Sequence, residues 1–302
     1  MELFSLGEGH YTEHDVTEGA RALTGWSLDR LNQRYVYRPV LHDNGEKTFL
    51  GRTGNLDGDD VIAQIIAQPQ SAIFITGKLW NFFAGQMPDA KLNEALAAAF
   101  RASGNNFKPF LRILFRSEEF YGADIVRNEV KSPTQWLVSS VRMLENELPP
   151  PIICYGMLRQ LGQDLFAPPN VKGWDGGITW ITTNTLLERY NDAQALVEGT
   201  LPPLNADNFA KKPGGAGGKH AMKMLQRVRL GGVDVEKILT PAERADKDLL
   251  VTALEKRLLQ SSFTGNQEKA LYEFLDSKTT LNKQDILTAI RLVMSTPEYQ
   301  VT

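Results

Sequence analysis

Histidines near the start of the chain have the spacing that a metal site requires. His10 and His14 lie four residues apart, which on a helix would place both imidazoles on one face, with acidic side chains close by. Thr12, however, has the side chain and position of a helix N-cap, which would leave His10 outside the helix. Two interpretations stay open. One is a metal site at His10 and His14, and the other is a solvated helix start at which acidic side chains interact favourably with the helix dipole.

A second pair of chemically active residues is His42 and Asp43, a combination found in metal-binding sites. The pair lies in "LHDNGEK", where Asn44-Gly45 predicts a turn, and the simpler interpretation is that Asp43 caps this turn through its side chain. A hydrolytic site would need carboxylates that converge in a cleft, and Asp175 is a further candidate for such a role. No G-x-S-x-G, P-loop or G-x-G-x-x-G motif occurs in the chain.

The densest group of aromatic and polar residues is "PPNVKGWDGGITWITTN", residues 168–184, which has neither helical nor strand periodicity. Flat rings beside amide and carboxylate groups suit a sugar or another polar cyclic ligand. The alternative is a loop folded back over the helices, with its tryptophans buried and its glycines allowing tight turns. The ligand-binding candidates are Asn170, Trp174, Asp175 and Trp180.

Composition and charge limit the possible classes of protein. With 302 residues, 42% of them hydrophobic and 23% charged, the chain is typical of a soluble protein with a substantial core. A net charge of −3 argues against nucleic-acid binding, which usually requires a basic stripe. The longest basic cluster surrounds a Gly-rich segment and comprises Lys211, Lys212, Lys219, His220, Lys223, Arg227 and Arg229. The sequence predicts no cofactor.

The sequence also argues against disulfide and membrane-spanning chemistry. Cys154 is the only cysteine and lies in an apolar run, so burial as a small hydrophobe is expected. No run of about 18 apolar residues is present, so no transmembrane segment is predicted. The polar faces of the amphipathic helices are expected to mix both charge signs and to lack a basic stripe. This pattern does not favour a role at a membrane surface.

The elements that must position these residues are mostly helices. Thr12 opens a helix whose buried face is predicted to contain Val16, Ala20 and Leu23. Residues 34–51 alternate apolar and polar side chains about Asn44-Gly45, which predicts a small β-hairpin. An apolar helix around Trp80 is predicted to be central. The predicted fold class is therefore mainly α, a multi-helix bundle-like body with one small β-hairpin.

Two capping boxes mark further helix starts, one at Ser132 with Gln135 and one at Thr240 with Glu243. The first helix is predicted to bury Trp136, Leu137, Val141, Leu144 and Leu148. The second is predicted to carry Leu249, Leu250, Ala253, Leu254 and Leu258. Two other segments, "FLRILFRSEEFYG" and "AIRLVMSTPEYQV", share an amphipathic helix that ends in Ser, Glu and an aromatic residue, and the aromatic is predicted to return to the core.

The predicted domain organisation follows the Gly and Pro content. Residues 1–198 form a helical main domain with the hairpin, and residues 199–219, ending "KKPGGAGGK", form a linker or loop. Residues 220–302 form a C-terminal helical segment that packs on the main domain.

Five blocks of sequence together resemble a known family. They are "ELFSLGEGHYTEHDVTEGARALTGW", "LHDNGEKTFLG", "KSPTQWLVSSVRML", "LGQDLFAPPNVKGWDGGITW" and "IRLVMSTPEYQ", in that order. In this order they resemble the signature blocks of the bacterial "domain of unknown function 1800" family. In that family the first block normally lies well inside the polypeptide, so the resemblance implies that the chain is the truncated, C-terminal part of a longer protein.

The resemblance carries no established reaction, but it does carry a setting. Members of the family often have export signals, which implies a periplasmic, envelope or extracellular location. Their genes often neighbour a gene for a secreted, sulfatase-like protein, which implies that protein as a partner. We therefore predict a non-catalytic binding or scaffolding component of a secreted or envelope-associated system. The alternative is a hydrolase acting on a glycan or sulfated polymer through Asp175 or through His42 and Asp43.

Overall fold

The fold is mainly α-helical, which confirms the predicted fold class. The computed structural model describes residues 1–204, 228 and 230–302. These residues divide into two compact units, Met1–Val126 (unit 1) and Arg127–Thr302 (unit 2). In the described residues, no helix combines the length and the apolar character needed to cross a bilayer. The side chains of the predicted basic cluster, Lys211 to Arg229, lie outside the described residues.

Unit 1 begins with one helix, continues with four short strands and ends with four more helices. Its helices are α1 (Glu13–Ala22), α2 (Gly58–Ala67), α3 (Pro69–Ala84), α4 (Ala90–Ala102) and α5 (Phe107–Leu114). Its strands are β1 (Trp26–Asp29), β2 (Arg34–Tyr37), β3 (Lys47–Phe49) and β4 (Arg52–Gly54). Single 3-10 turns lie at Pro39–Leu41 and Glu119–Tyr121.

Two antiparallel hairpins take the place of the single hairpin predicted for residues 34–51. β1 pairs with β2, and β3 pairs with β4. β2 and β3 belong to separate two-stranded sheets, so Asn44-Gly45 is not a hairpin turn. The predicted pairing is therefore wrong, although Tyr35 and Tyr37 do lie in a strand.

The turn that joins β3 to β4 is formed by Leu50 and Gly51. Both residues have positive φ angles, 45° and 83°, as in a type I′ hairpin turn. A leucine seldom adopts this conformation. Here Leu50 donates its N–H to Asp15 Oδ1 at 2.7 Å, and Gln64 Nε2 donates to its carbonyl oxygen at 2.9 Å. Contacts with α1 and α2 therefore select a turn that the local sequence does not indicate.

Helix α1 begins as predicted but buries a different face. Thr12 and Asp15 form a reciprocal capping box at its start. Val16 and Leu23, which the apolar spacing predicts to be buried, are 50% and 39% exposed. Ala20 is also exposed, so the predicted core face of this helix is wrong.

The buried face of α1 is narrow, comprising Glu18, Gly19 and Ala22, and it meets β3. Glu18 accepts hydrogen bonds from Arg21 Nη1 at 2.9 Å and from the Thr48 N–H at 3.1 Å. Gly19 lets the Phe49 ring approach closely, since a Cβ added at Gly19 would lie 3.1 Å from that ring. A satisfied carboxylate and a missing side chain thus replace the expected apolar contacts.

The larger core of unit 1 forms around α3, as its apolar circumference predicts. Trp80 is 1% exposed. The buried side chains of α4 and α5 in the same cluster are Leu96, Ala97, Phe100, Phe110 and Leu114. A second, smaller cluster contains Ala22, Phe49, Leu56 and Val61. Unit 1 therefore has one core around α3, α4 and α5 and another between α1, β3 and α2.

The regular secondary structure in the described part of unit 2 is helical, apart from an isolated β-bridge between Val130 and Val301. Its helices are α6 (Pro133–Met143), α7 (Pro151–Gln160), α8 (Thr183–Glu198), α9 (Val235–Ile238), α10 (Pro241–Ala245), α11 (Lys247–Leu254), α12 (Gly265–Asp276) and α13 (Lys283–Met294). A π-helical turn, Glu255–Leu259, continues α11, and 3-10 turns lie at Gly177–Trp180 and Pro297–Gln300.

Both predicted capping boxes of unit 2 are confirmed. Ser132 and Gln135 cap α6, and Thr240 and Glu243 cap α10. The single helix predicted after Thr240 is divided, because Asp246 ends α10 and accepts a hydrogen bond that caps α11. Leu148, which was predicted to be buried, is exposed, and so is Leu249 at the start of α11.

The predicted repeat of a helix followed by a returning aromatic residue is present in both units. A 3-10 turn follows α5 at Glu119–Tyr121 and α13 at Pro297–Gln300. Tyr299 is completely buried, and Phe120 packs against the core cluster around Trp80. The aromatic residue thus returns to a core in each case.

One core cluster runs through the described part of unit 2. Buried side chains of α6, α7 and α8 belong to one cluster with those of α11, α12 and α13. Most of the predicted linker, residues 199–219, lies outside the described residues. The predicted division of the chain at this linker therefore stays a prediction.

Candidate functional site

Asp43 belongs to an ion-pair network of unit 1. Arg21 donates from Nε to Asp43 Oδ2 at 2.8 Å, and the Gly45 N–H donates to Asp43 Oδ1 at 2.8 Å. The second bond confirms that Asp43 caps its turn through the side chain. Hydrogen bonding to the Arg21 guanidinium lowers the pKa of Asp43 to about 2. Asp43 is therefore an ionised carboxylate whose oxygens already hold partners.

His42 is tied to the backbone beside it. Its Nδ1 lies 2.9 Å from the carbonyl oxygen of Thr24, and its ring lies 5.9 Å from that of Tyr37. Because a carbonyl oxygen only accepts, Nδ1 carries the proton in this bond. His42 thus joins the turn at residues 39–41 to the segment that follows α1.

His10 and His14 lie on the surface at the start of α1. Both are exposed, and His10 precedes the Thr12 cap, outside the helix. Across the described ranges, no group of three or more His, Cys, Asp or Glu side chains is arranged to hold a metal ion. The metal site considered at His10 and His14 therefore gains no support.

The tryptophan loop, residues 161–182, connects α7 to α8 and orients its two indoles differently. Trp180 is 8% exposed at the end of the 3-10 turn Gly177–Trp180, and Thr185 Oγ1 donates to its carbonyl oxygen at 2.9 Å. Trp174 is half-buried. Trp180 thus faces the interior and anchors the loop to α8, whereas Trp174 keeps part of its ring in solvent.

The polar candidates of this loop bind to the loop itself. Lys172 Nζ donates to Asp175 Oδ1 at 2.8 Å, and the Lys172 N–H donates to Asn170 Oδ1 at 2.8 Å. The Lys172 and Asp175 side chains are 61% and 63% exposed. The structure therefore brings Asn170, Lys172 and Asp175 together on an exposed surface.

Large apolar side chains on the same loop are displayed to solvent, which sequence reasoning missed. Phe166 is 99% exposed, Val171 82% and Ile178 72%. Phe166 also has a positive φ of 62°, a conformation unusual for a bulky residue. The available signal was the presence of apolar residues in a stretch without periodicity, where no core face would receive them.

A second group of residues that sequence reasoning missed is a buried polar network in unit 2. Arg189 of α8 is completely buried. Its Nη1 donates to Gln300 Oε1 at 3.1 Å, and its Nη2 donates to the Lys131 carbonyl oxygen at 2.7 Å. The signal was helical spacing, because Arg189 lies four and seven residues before Ala193 and Leu196 on the buried face of α8.

The same network continues through a lysine and a tyrosine. Lys131 Nζ donates to the Tyr299 carbonyl oxygen at 2.7 Å and lies 4.3 Å from the centre of the Tyr299 ring. The Tyr299 hydroxyl is 2.7 Å from Ser140 Oγ. Burial lowers the pKa of Lys131 to about 8, and nearby Arg127 and Arg189 add to this effect.

Asp192, one helical turn after Arg189, is the acidic member of this region. Burial raises its pKa to about 8, with Glu188 adding to the shift and Arg189 opposing it. Shifted pKa values are typical of active sites. Here Arg189 and Tyr299 are both 0% exposed and bond to protein atoms, so the network holds α8 to the segments at Lys131 and Gln300.

Fold and site together define a class: a mainly α-helical protein whose second unit is held by a buried arginine network and presents a tryptophan-anchored loop. The chain belongs to the family described as Protein of unknown function (DUF1800), whose model matches residues 1–301. The predicted family resemblance is therefore confirmed. No curated protein matches the chain, and no solved structure matches it.

Proposed function

We propose that the protein is a non-catalytic binding protein and that the tryptophan loop receives a protein partner. The observation that carries this proposal is the exposure of Phe166, Val171 and Ile178, at 99%, 82% and 72%. Apolar side chains concentrated on one exposed loop are typical of a recognition surface, because a partner removes their area from water.

The backbone of the loop supports this role. Gly173, Gly176 and Gly177 all have positive φ angles, and a Cβ added at any of them would meet no atom within 4 Å. These turns thus lie in open space, while Trp180 fixes the end of the loop near α8. An anchored loop costs less entropy to order on binding than a free one.

The predicted ligand residues take different parts in this proposal. Asn170 and Asp175 fold the loop through Lys172, and Trp180 anchors it. Trp174 is the half-buried ring next to the exposed Asp175. We assign Trp174 as the aromatic contact to the partner, since aromatic residues are enriched where proteins meet.

The hydrolase alternative draws no support from its predicted residues. Asp43 lies in unit 1 and Asp175 in unit 2. Each carboxylate already pairs with a cation, Arg21 or Lys172, at 2.8 Å. His42 uses Nδ1 to hold the Thr24 carbonyl oxygen. These bonds favour structural roles for all three residues over general acid or base chemistry.

The family resemblance supplies the partner and location of the proposal. It implies export and a secreted, sulfatase-like protein encoded nearby, and we propose that protein as the one which the loop binds. The direct experiment immobilises this chain, adds the purified sulfatase-like protein and measures the equilibrium dissociation constant of the complex. The test variant is the double substitution Phe166→Ser and Ile178→Ser, whose native side chains are 99% and 72% exposed.

The matched control is Val40→Ser with Leu31→Ser, because Val40 and Leu31 are 96% and 95% exposed in unit 1. We expect the loop variant to weaken capture by at least about tenfold, as for loss of a central apolar contact, and the control to leave it unchanged. Equal weakening by both variants would show that capture results from non-specific hydrophobic association and would contradict the proposal. Absence of any association by the wild-type protein would contradict the choice of partner.

A further inference from the structure

The segment that contains α5 differs in charge from the rest of unit 1. Residues 95–117 contain four cations and no acidic residue. Unit 1 as a whole, residues 1–126, carries 12 Lys and Arg against 16 Asp and Glu, a net charge of −4. Four of the twelve cations of this acidic unit therefore lie in a single segment that contains no acid. The expectation that the polar faces of the amphipathic helices mix both signs is wrong for α5.

The helical period aligns three of these cations. Lys108, Arg112 and Arg116 follow each other at intervals of four, so they form one stripe along α5 and the turn that ends it. Phe110 and Leu114 of the same helix are completely buried in the core of unit 1. Within the described part of the chain, none of the three cations forms an ion pair. All three side chains are exposed, so the stripe faces solvent.

An apolar stripe runs beside the basic one. A shallow depression of about 500 Å³ is lined by Phe107, Lys108, Leu111, Arg112, Phe115 and Arg116. Phe107 is 50% exposed, and Ile113, on the other side of the basic stripe, is 48% exposed. Cations and apolar side chains thus alternate across one open face.

Aromatic residues of neighbouring elements extend this face. The Phe83 ring lies 4.8 Å from the Phe115 ring, and the Phe82 ring lies 4.9 Å from that of Phe83. The Tyr121 hydroxyl donates to the Phe115 carbonyl oxygen at 2.9 Å. Phe82 and Tyr121 are 65% and 64% exposed. We call this surface the α5 face: Phe82, Phe107, Lys108, Arg112, Arg116 and Tyr121.

We propose that the α5 face docks the protein on an anionic membrane surface. All residues that line the depression come from α5 and its end, whereas an amphipathic peptide needs a groove with walls from more than one element. A bilayer surface needs no groove. Its phosphate groups complement Lys108, Arg112 and Arg116, and its interfacial zone accepts aromatic rings.

The role proposed for the tryptophan loop is separate, since that loop belongs to unit 2 and its partner is a protein. The two proposals can therefore fail independently. Membrane docking through the α5 face is peripheral and reversible, because a few cations with shallow aromatic insertion give moderate, salt-sensitive affinity.

The experiment is co-sedimentation of the whole chain with vesicles. One set is phosphatidylcholine alone, and the other contains roughly 30 mol % phosphatidylserine, a strongly anionic surface. The test variant is K108Q/R112Q/R116Q, which removes three cations while keeping long polar side chains. The control is R30Q/R34Q/R38Q, which removes the same charge at three other exposed arginines of unit 1.

We expect the wild-type protein to bind the anionic vesicles and not the neutral ones. Each cation near an anionic surface accounts for about a fivefold change in affinity, so the test variant loses roughly 100-fold. The control loses less than about threefold, because its arginines lie outside the α5 face. A second variant, F82S, loses several-fold in affinity without any change in charge.

Three results would overturn the proposal. The first is a wild-type protein that does not bind anionic vesicles. The second is an equal loss in the test and control variants, which would make the attraction a matter of net charge alone. The third is loss of a protein partner, rather than of vesicles, in K108Q/R112Q/R116Q, which would make the α5 face a protein-docking surface. Circular dichroism checks that each variant is folded, and F82S decides the question if the triple variant is not.

Discussion

Arg21 in unit 1 and Arg189 in unit 2 both hold separate chain segments together, but they differ in solvent exposure and in the charge of their hydrogen-bond partners. Arg21 links α1 to the turn at Asp43, and its side chain is 35% exposed with carboxylate partners. Arg189 links α8 to the segments at Lys131 and Gln300, and it is completely buried with neutral oxygen partners. The same residue type therefore lies close to water at one site and in the core at the other.

The pKa values of the acids follow these surroundings. Beside Arg21, hydrogen bonding to the guanidinium lowers the pKa of Asp43 to about 2. Beside Arg189, burial raises the pKa of Asp192 to about 8, and burial lowers the pKa of Arg189 itself to about 10. An arginine next to an aspartate therefore does not ensure a charged pair, because loss of water opposes both charges in the core.

The largest expected effect is the removal of the buried guanidinium by Arg189→Met. The substitution leaves the Lys131 carbonyl oxygen and Gln300 Oε1 buried without this donor. We expect a loss of about 3–5 kcal/mol in the free energy of unfolding, typical of a broken buried polar network. Urea titration followed by far-UV circular dichroism and tryptophan fluorescence measures it.

The control for this variant is Arg142→Met, since Arg142 is an exposed arginine on α6. It is expected to change stability by less than about 0.5 kcal/mol, as surface substitutions usually do. A midpoint for Arg189→Met that matches the control would show that the network does not hold unit 2 together.

The next effect concerns the pH dependence that Asp192 imposes. Its pKa of about 8 in the folded protein exceeds the ordinary 3.8. Between about pH 4 and pH 8 the folded chain keeps a proton that the unfolded chain has released, so stability falls as pH rises. Asp192→Asn is permanently neutral and is expected to raise the thermal midpoint at pH 8 by about 5–10 °C, with little change at pH 4. Parallel midpoint curves for the two proteins would contradict this assignment.

Asp43→Asn is expected to have the opposite sign. The pKa of Asp43 is about 2 in the folded protein, below the ordinary 3.8. Its contribution to stability is therefore present above about pH 4 and is lost as pH falls towards 2. At pH 7 we expect the midpoint to fall by about 2–4 °C, with the difference shrinking in acid and in high salt. A larger loss than that of Arg189→Met would reverse the comparison between the two sites.

The smallest effect is expected where both partners are exposed. Asp175 pairs with Lys172 at 2.8 Å, and their side chains are 63% and 61% exposed. Asp175→Asn is expected to shift the thermal midpoint by no more than about 1 °C, because water and salt screen such a pair. A shift comparable with that of Asp43→Asn would show that the tryptophan loop depends on this ion pair.

Local chemistry could be predicted from the sequence with good accuracy. The N-cap at Thr12 and the capping boxes at Ser132 and Thr240 are present as the sequence predicts. The central role of the helix around Trp80 also follows from its own apolar circumference. In each case the interacting groups lie within a few residues of each other, so the pattern contains the whole interaction.

Predictions that depended on distant partners were less successful. The pairing of residues 34–51 was wrong because Leu50 is held in its turn by Asp15 and Gln64. The buried face of α1 was wrong because Glu18 is satisfied by Arg21 and Thr48. Neither α1 nor the hairpin segment contains all of these groups.

The candidate site shows the same limit. Residue types in the tryptophan loop drew attention to the region, but the spacing could not show that Trp180 is buried while Phe166, Val171 and Ile178 are exposed. Arg189 and Asp192 looked like ordinary polar residues of a helix. Arg189, for example, is buried against segments near Lys131 and Gln300, more than 50 residues away along the chain.

The sequence by itself determined the family, the helical class, and the starts of the capped helices, because each depends on patterns or bonds within one stretch of chain. Only the tertiary structure decided which strands pair, which face of α1 is buried and whether an aspartate is charged. The physical reason is that each of these outcomes depends on which groups lose their contact with water on folding. How much water a group loses on folding depends on every segment that packs over it.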